Sequence, residues 1–325
     1  MIRTERNCPR REGFTLVELL VVIAIIAVLA SMVILGVFAM IGNRTKSNTE
    51  ANVRVLHKML QTRWAAVIAD AKKETPSLEA MKLAGYNPAL PPGVFYDPER
   101  ARVIWIKVRL CEAFPLAFKE LNPADATTIV NVYIPPNKLK PHFTKYRTTI
   151  TAYPAVPGAT ESAACLLMAF RNLPGEGTSI EDQMKNSVGD SDGDGIPELV
   201  DGWGRPLAFF RFPYKNLVLQ AANPAAVNSA AANFADPTDP TGKLLERNQA
   251  TSWYKSANRG VFETDFKYEI LFKTIPGPSP QYFAYYTTPV IASMGKDGVL
   301  DLNPDFSSAS TKSLDNILSF QLRGD

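Results

Sequence analysis

The sequence predicts an α+β protein in which a long N-terminal helix packs on a globular domain that contains an antiparallel sheet. Three observations predict this class. A continuous apolar run occupies residues 19–41, an apolar stripe at helical spacing follows it, and short segments rich in aromatic and β-branched residues recur later in the chain. The 325 residues suffice for a membrane segment and one large or two small soluble domains.

The apolar run reads LLVVIAIIAVLASMVILGVFAMI and is long enough to cross a bilayer as one helix. More basic residues precede this run than follow it closely. Arg44 and Lys46 follow it, and the preceding ones are Arg3, Arg6, Arg10 and Arg11. The positive-inside tendency therefore predicts a cytoplasmic N-terminus and a C-terminal domain outside the cytoplasm. A plain signal anchor is the alternative interpretation, whereas a secretory signal peptide has a shorter apolar core.

One carboxylate, Glu18, lies at the edge of the apolar run. The sequence has no other ionisable side chain between Phe14 and Asn43. A charge in hydrocarbon is costly unless it has a partner, so Glu18 is predicted to have a function.

Past the apolar run, six apolar residues follow one another at spacings of three and four. They are Val53, Leu56, Leu60, Trp64, Val67 and Ala71. This spacing indicates one face of an amphipathic helix that lies against a core. Because no proline occurs between Pro9 and Pro76, we expect one helix from Phe14 to about Lys73, ~90 Å long at 1.5 Å per residue. It forms a segment of residues 14–75, of which 14–42 span the membrane.

The globular part comprises residues 76–325, where frequent prolines predict short elements and long connections. Residues 103–108 are predicted as a strand or a short buried helix, 111–121 as a helix interrupted near Pro115, and 165–170 as a buried helix. Strands are predicted at 207–212, 282–286 and 290–294.

Composition excludes several classes of function. The net charge is +3 and no basic stripe occurs outside the N-terminus, so nucleic acid is not an expected partner. The chain has two histidines, His57 and His142, which excludes a multi-histidine metal centre. Because no phosphate loop or nucleophile motif occurs either, we expect a protein that is not an enzyme.

Two cysteines, Cys111 and Cys165, lie in the globular part, and Cys8 lies in the basic leader. Outside the cytoplasm the pair can form one disulfide. The alternative is two buried thiols.

An acidic cluster reads DSDGDGIPELVD over residues 190–201. The logic of an EF-hand-type loop predicts a structural Ca²⁺ site. Its ligands would be the carboxylates of Asp190, Asp192, Asp194 and Asp201 and the carbonyl of Ile196, with Glu198 acting through water. A solvated acidic turn is the alternative.

The run GFTLVELL at residues 13–20 resembles the signal of type IV prepilins and type II secretion pseudopilins. The resemblance implies that residues 1–13 are a leader and that a prepilin peptidase cleaves after Gly13. Phe14 then becomes the methylated first residue and Glu18 the fifth. In such filaments this carboxylate can pair with the N-terminal amine of a neighbouring subunit.

Two further segments sharpen the resemblance. The run DGWGRPL at 201–207 is similar to the D-P-W-G-x-P-Y signature of major pseudopilins, with Gly202 in place of proline. Residues 291–298 resemble their S-x-G-x-D-G segment, and 315–317 resemble their closing D-D-I. The resemblance implies a second calcium site at Ser293, Asp297 and Asp315. Hydrogen-bonded turns are the alternative there.

The resemblance implies a pilin-like fold, enlarged by insertions at about 76–186 and 221–260. It also implies a subunit of a type II secretion pseudopilus, held in the inner membrane by a single span. The implied partners are other pseudopilins, a prepilin peptidase, the inner-membrane secretion platform and the lipid bilayer. A minor pilin of a type IV pilus and a membrane-anchored, calcium-stabilised binding protein are the alternatives.

Overall fold

The computed structural model describes most of the helical part of the chain and the segments around two small sheets. The described residues are 16–89, 96–122, 129–134, 150, 158–172, 180, 184, 187–212, 238–239, 243, 289–300, 302, 311 and 314–322. By its contacts the chain divides into two units, Met1–Ser47 and Asn48–Asp325.

The first unit contains the beginning of helix α1, which runs from Leu16 to Lys73. Within it, Leu16–Ile34 is long and apolar enough to cross a membrane. The large apolar side chains of this segment are exposed in the isolated chain. The predicted long N-terminal helix is therefore confirmed from Leu16 onward.

In the second unit, residues 48–73 of α1 form a segment that we call the stalk. The predicted stripe is confirmed, because Val53, Leu56 and Leu60 are fully buried and Val67 packs partly buried against the same core. Trp64 also points into this core, where its ring centroid lies 5.0 Å from that of Phe114. The stripe therefore joins the stalk to the globular core by apolar packing.

Two helices follow the stalk, and the second is buried along most of its length. Helix α2 spans Leu78–Leu83, and helix α3 spans Pro98–Ala113. Asp97 caps α3 by accepting hydrogen bonds from the amides of Glu99 and Arg100 at 2.9 and 3.2 Å, and Pro98 begins its first turn. Residues 103–108 therefore form part of a buried helix, which decides between the two predicted alternatives.

The interruption predicted near Pro115 within residues 111–121 is confirmed. Helix α3 ends at Ala113, and a separate 3-10 helix spans Phe118–Leu121. Pro115 explains the break, because a proline disfavours helical backbone in the residue before it. The short helix α4 (Ile129–Tyr133) follows.

Helix α5 (Ala159–Asn172) contains the predicted buried segment 165–170, which is confirmed. It packs against two small antiparallel sheets. The first pairs β1 (Val188–Gly189) with β2 (Glu198–Leu199). The second has the order β3-β4-β5, with β3 at Ala208–Phe210, β4 at Val290–Ser293 and β5 at Ile317–Leu318. The strand predicted at 282–286 lies outside the described residues.

A buried arginine connects the sheet to the helices. Arg211 follows β3 and is 1 % exposed. Its guanidinium forms a two-point ion pair with Glu120, with N–O distances of 2.9 and 3.1 Å, and donates to the carbonyls of Cys111 and Phe114. A buried charge is stable when it is paired in this way. The predicted α+β class is thus confirmed, with an antiparallel sheet packed on helices.

Candidate metal site and N-terminal motif

The acidic cluster lies at the closed end of a β-hairpin. Residues 190–197, the acidic loop, connect β1 to β2, and we call the whole of 188–199 the acidic hairpin. The amides of Gly193 and Gly195 donate to the carboxylate of Asp190 at 2.7 and 3.0 Å. The amide of Ile196 donates to Asp194 at 2.7 Å. These bonds turn the loop back on itself.

Four carboxylates converge at this loop and can hold a metal ion. They belong to Asp190, Asp192, Asp194 and Glu198, and one oxygen from each lies within 4.8 Å of the others. Burial, followed by repulsion from Asp192 and Asp190, raises the pKa of Glu198 to about 7, although hydrogen bonds from Ser191 oppose the shift. Burial and the neighbouring aspartates also raise the pKa of Asp194.

Asp201, the last of the four predicted carboxylate ligands, lies outside this group. Its Oδ1 accepts hydrogen bonds from the amides of Trp203 and Arg205 at 2.9 and 3.0 Å. Its Oδ2 accepts one from the hydroxyl of Ser293 at 2.6 Å. Asp201 thus shapes the 201–206 turn and joins it to β4, while Glu198 takes the fourth place in the acidic cluster.

Ile196 connects the acidic loop to the core. Its side chain is 1 % exposed and packs in a cluster with Phe118, Cys165 and Met168. The loop is therefore anchored on its apolar side by α5 and the 3-10 helix. Ile196 remains a predicted carbonyl ligand.

The three residues of the second predicted calcium site have partners within the protein. Ser293 donates to Asp201 and accepts a bond from the amide of Gly295 at 3.1 Å. Asp315 accepts bonds from the amides of Lys296 and Asp297 at 2.7 and 3.1 Å. Asp297 itself accepts one from the amide of Val299. These bonds form a set of hydrogen-bonded turns, which is the alternative that the sequence left open. Calcium binding there stays a prediction.

The two cysteines of the globular part are separate buried thiols, which is the second of the two alternatives that the sequence left open. Cys111 lies in the main core with the stalk and α3, whereas Cys165 lies in the small cluster beside Ile196. Each thiol is thus enclosed by its own set of apolar side chains. Burial raises the pKa of Cys165 well above its usual value.

The predicted processing site, Gly13 and Phe14, lies outside the described residues. Glu18 lies in the first turn of α1 and is exposed in the isolated chain. The exposed apolar surface of α1 begins in the same turn, at Leu16.

Comparison with known families finds a match at the N-terminus. The family model described as the prokaryotic N-terminal methylation motif matches residues 8–34. The chain thus carries the motif of prepilin processing, which indicates a type IV pilin-like protein with an N-terminal apolar helix suited to membrane anchoring. Neither a curated protein nor a solved structure matches this chain.

Proposed function

We propose that this protein is a pseudopilin subunit of a type II secretion pseudopilus. A prepilin peptidase cleaves the chain after Gly13, and the product assembles into a filament that drives protein secretion. The methylation motif on residues 8–34 carries this proposal, because it coincides with the start of a long helix with exposed apolar side chains. The role is structural, and the protein is not an enzyme.

The exposed apolar surface of Leu16–Ile34 suits both the membrane-anchored subunit and the assembled filament. Apolar side chains on all sides of a helix need an apolar environment. The lipid bilayer supplies it before assembly, and the equivalent helices of neighbouring subunits supply it within the filament. Glu18 then pairs with the amine of Phe14 of an adjacent subunit, which sets the register between subunits.

The contact between two distant segments supports the type II assignment. Asp201 and Arg205 belong to the run DGWGRPL at 201–207, while Ser293 and Gly295 belong to the S-x-G-x-D-G segment. Ser293 donates to Asp201, and Arg205 donates to the carbonyl of Gly295 at 2.8 Å. The two segments that resemble major pseudopilins therefore form one hydrogen-bonded unit at the end of β4.

We propose Ca²⁺ as the cation of the acidic hairpin, with a structural role. The converging groups are carboxylates, and oxygen ligands select hard cations. Ca²⁺ accepts the irregular geometry of such a loop more readily than Mg²⁺, which demands a near-ideal octahedron. The excess of leader arginines supports a cytoplasmic N-terminus and a globular domain outside the cytoplasm, where this loop would meet calcium. The partners are other pseudopilins, the peptidase, the secretion platform and the inner membrane.

Replacement of Glu18 by alanine tests the filament role. The full chain is co-expressed with a prepilin peptidase and a type II assembly platform, and sheared filaments are separated from membranes. We expect Glu18→Ala to be cleaved normally but to reduce the filament fraction about 10-fold or more, since a lost buried ion pair costs several kcal/mol.

Asp70→Ala is the matched control, because it removes one carboxylate from an exposed position of the same helix. It should assemble like the unaltered protein, since surface ion pairs contribute little. Normal incorporation of Glu18→Ala into filaments would contradict the proposed role of Glu18. Assembly by a type IV pilus machinery instead would favour the minor-pilin alternative.

A further inference from the structure

Glu198 differs from the three aspartates of the acidic hairpin in its surroundings. It is fully buried, whereas Asp190, Asp192 and Asp194 are exposed. Its Oε2 accepts a hydrogen bond from the amide of Ser191 at 2.7 Å. Its Oε1 is buried and has no hydrogen-bond partner among the residues that the structure describes. A buried charged oxygen is costly without a counterpart, and a cation in the acidic cluster would supply one.

Strand pairing explains how Glu198 reaches the cluster. β1 and β2 pair so that Glu198 lies opposite Gly189, the residue directly before Asp190. The second strand therefore returns to the start of the acidic loop at Glu198. A cation in the cluster would bind both sides of the hairpin at once, and it would offset the repulsion among four neighbouring carboxylates.

The open end of the same hairpin is hydrogen-bonded to the stalk. Asn52 donates to the hydroxyl of Ser187 at 2.6 Å, and the amide of Gly202 donates to the hydroxyl of Thr49 at 3.0 Å. Thr49 and Ser187 are both buried. The amide of Val200 also donates to the carbonyl of Ser187, at 2.8 Å. The two chain segments that flank the hairpin thus meet each other and the stalk in one place.

We propose that a Ca²⁺ ion bound by Asp190, Asp192, Asp194 and Glu198 closes the acidic hairpin and thereby fixes the stalk on the globular domain. Glu198 is the buried ligand, in the role that loop spacing assigned to Asp201. The inference rests on the calcium site proposed above. It adds Glu198 as the fourth carboxylate ligand and the attachment of the stalk as the consequence of calcium binding. A filament transmits force along its helices, so a rigid contact between residues 48–52 of the stalk and the globular domain would help to transmit it.

The ligand set is tested by calcium titration of the full-length protein in detergent. The protein is stripped with EGTA and titrated with CaCl₂ in a calorimeter. Asp192→Asn identifies the heat that belongs to the hairpin site. We expect Glu198→Gln to weaken that binding by about 10-fold or more. Glu79→Gln, which alters an exposed glutamate of α2, should bind like the unaltered protein.

The outcomes separate this inference from the proposal on which it rests. Unchanged calcium affinity in Glu198→Gln, with weakened affinity in Asp192→Asn, would overturn the role of Glu198 and leave the calcium site in place. Absence of calcium binding by the unaltered protein would overturn both.

Hydrogen exchange of the unaltered protein tests the joint without any substitution in the core. We expect calcium to slow exchange at least several-fold in peptides that cover residues 48–60 as well as 187–202. A slowing confined to the acidic loop would overturn the coupling to the stalk, even if calcium binds. This measurement also decides the question if Glu198→Gln fails to fold.

Discussion

At the scale of single residues, Glu161 gives the globular domain a dependence on pH. This glutamate of α5 is 7 % exposed, and its Oε1 accepts a hydrogen bond from the amide of Phe118 at 2.6 Å. Its Oε2 has no partner within the described part of the chain. Burial raises the pKa of Glu161 to about 7, with a further upward contribution from Glu120, while the Phe118 bond and Lys119 act in the opposite direction.

The raised pKa predicts a loss of stability as the pH rises. The unfolded chain releases this proton near its usual pKa of 4.5, whereas the folded chain holds it to about 7. Between these values the folded state binds more protons, so the free energy of unfolding falls with rising pH, by up to ~3 kcal/mol. Glu161→Gln should flatten this slope, as measured by urea unfolding in detergent at several pH values.

Glu79→Gln is the control for that series, because its carboxylate is exposed beside Lys82 and it should keep the slope of the unaltered protein. Calcium is held constant throughout, so that the acidic hairpin contributes equally to each variant. If Glu161→Gln keeps the full slope between pH 4.5 and 7, the pH dependence lies elsewhere.

The acidic cluster shows what the sequence can and cannot predict at this scale. Alternating aspartates in a tight loop are a local feature, and Asp190, Asp192 and Asp194 do converge. The fourth carboxylate depends on where the second strand pairs. Loop spacing favours Asp201, but the pairing of β1 with β2 brings Glu198 beside the start of the acidic loop. Glu161 is an acid in a mostly apolar helical segment, and that placement is the one signal of its burial in the sequence.

At the scale of elements, helical periodicity predicted the stalk and its buried stripe, since a single face was apolar. Residues 103–108 stayed ambiguous because α3 is buried on most sides and shows no one-sided pattern. The strand pairings of the second sheet could not be predicted from local sequence patterns. About 80 residues of chain separate β3 from β4, so their pairing depends on how the rest of the globular part folds.

The turn after β4 depends on a glycine. Gly295 has φ +64°, and a Cβ placed on it would lie 2.5 Å from the carbonyl oxygen of Asp315. Gly295→Ala therefore combines an unfavourable backbone with a clash against main chain. We expect it to lower the free energy of unfolding by about 2 kcal/mol or more, measured by urea unfolding.

Gly204 offers the matched comparison. Its φ is +78°, but a Cβ there would meet nothing within 4 Å. Gly204→Ala should cost about 1 kcal/mol, the backbone component alone. Equal losses in the two variants would show that the contact between the 295 turn and Asp315 is looser than described.

At the scale of the whole molecule, the part of the chain up to Lys73 is the most predictable. An apolar run, a stripe at regular spacing and a compact motif are all local in sequence, and the helix Leu16–Lys73 and the methylation motif on residues 8–34 confirm them. The globular part was less predictable, because frequent prolines divide it into short elements whose packing depends on distant contacts. The buried pair of Arg211 and Glu120 is one such contact.

The N-terminal residue of the native protein shows whether the chain is processed as a filament subunit. The protein is purified from membranes of its own host, or from cells that supply a prepilin peptidase, and its N-terminal peptide is identified by mass spectrometry. We expect a chain that begins at Phe14, with an N-methyl group on that residue. A mature protein that still begins at Met1 and retains Arg10 and Arg11 would contradict the claim that it is a processed filament subunit.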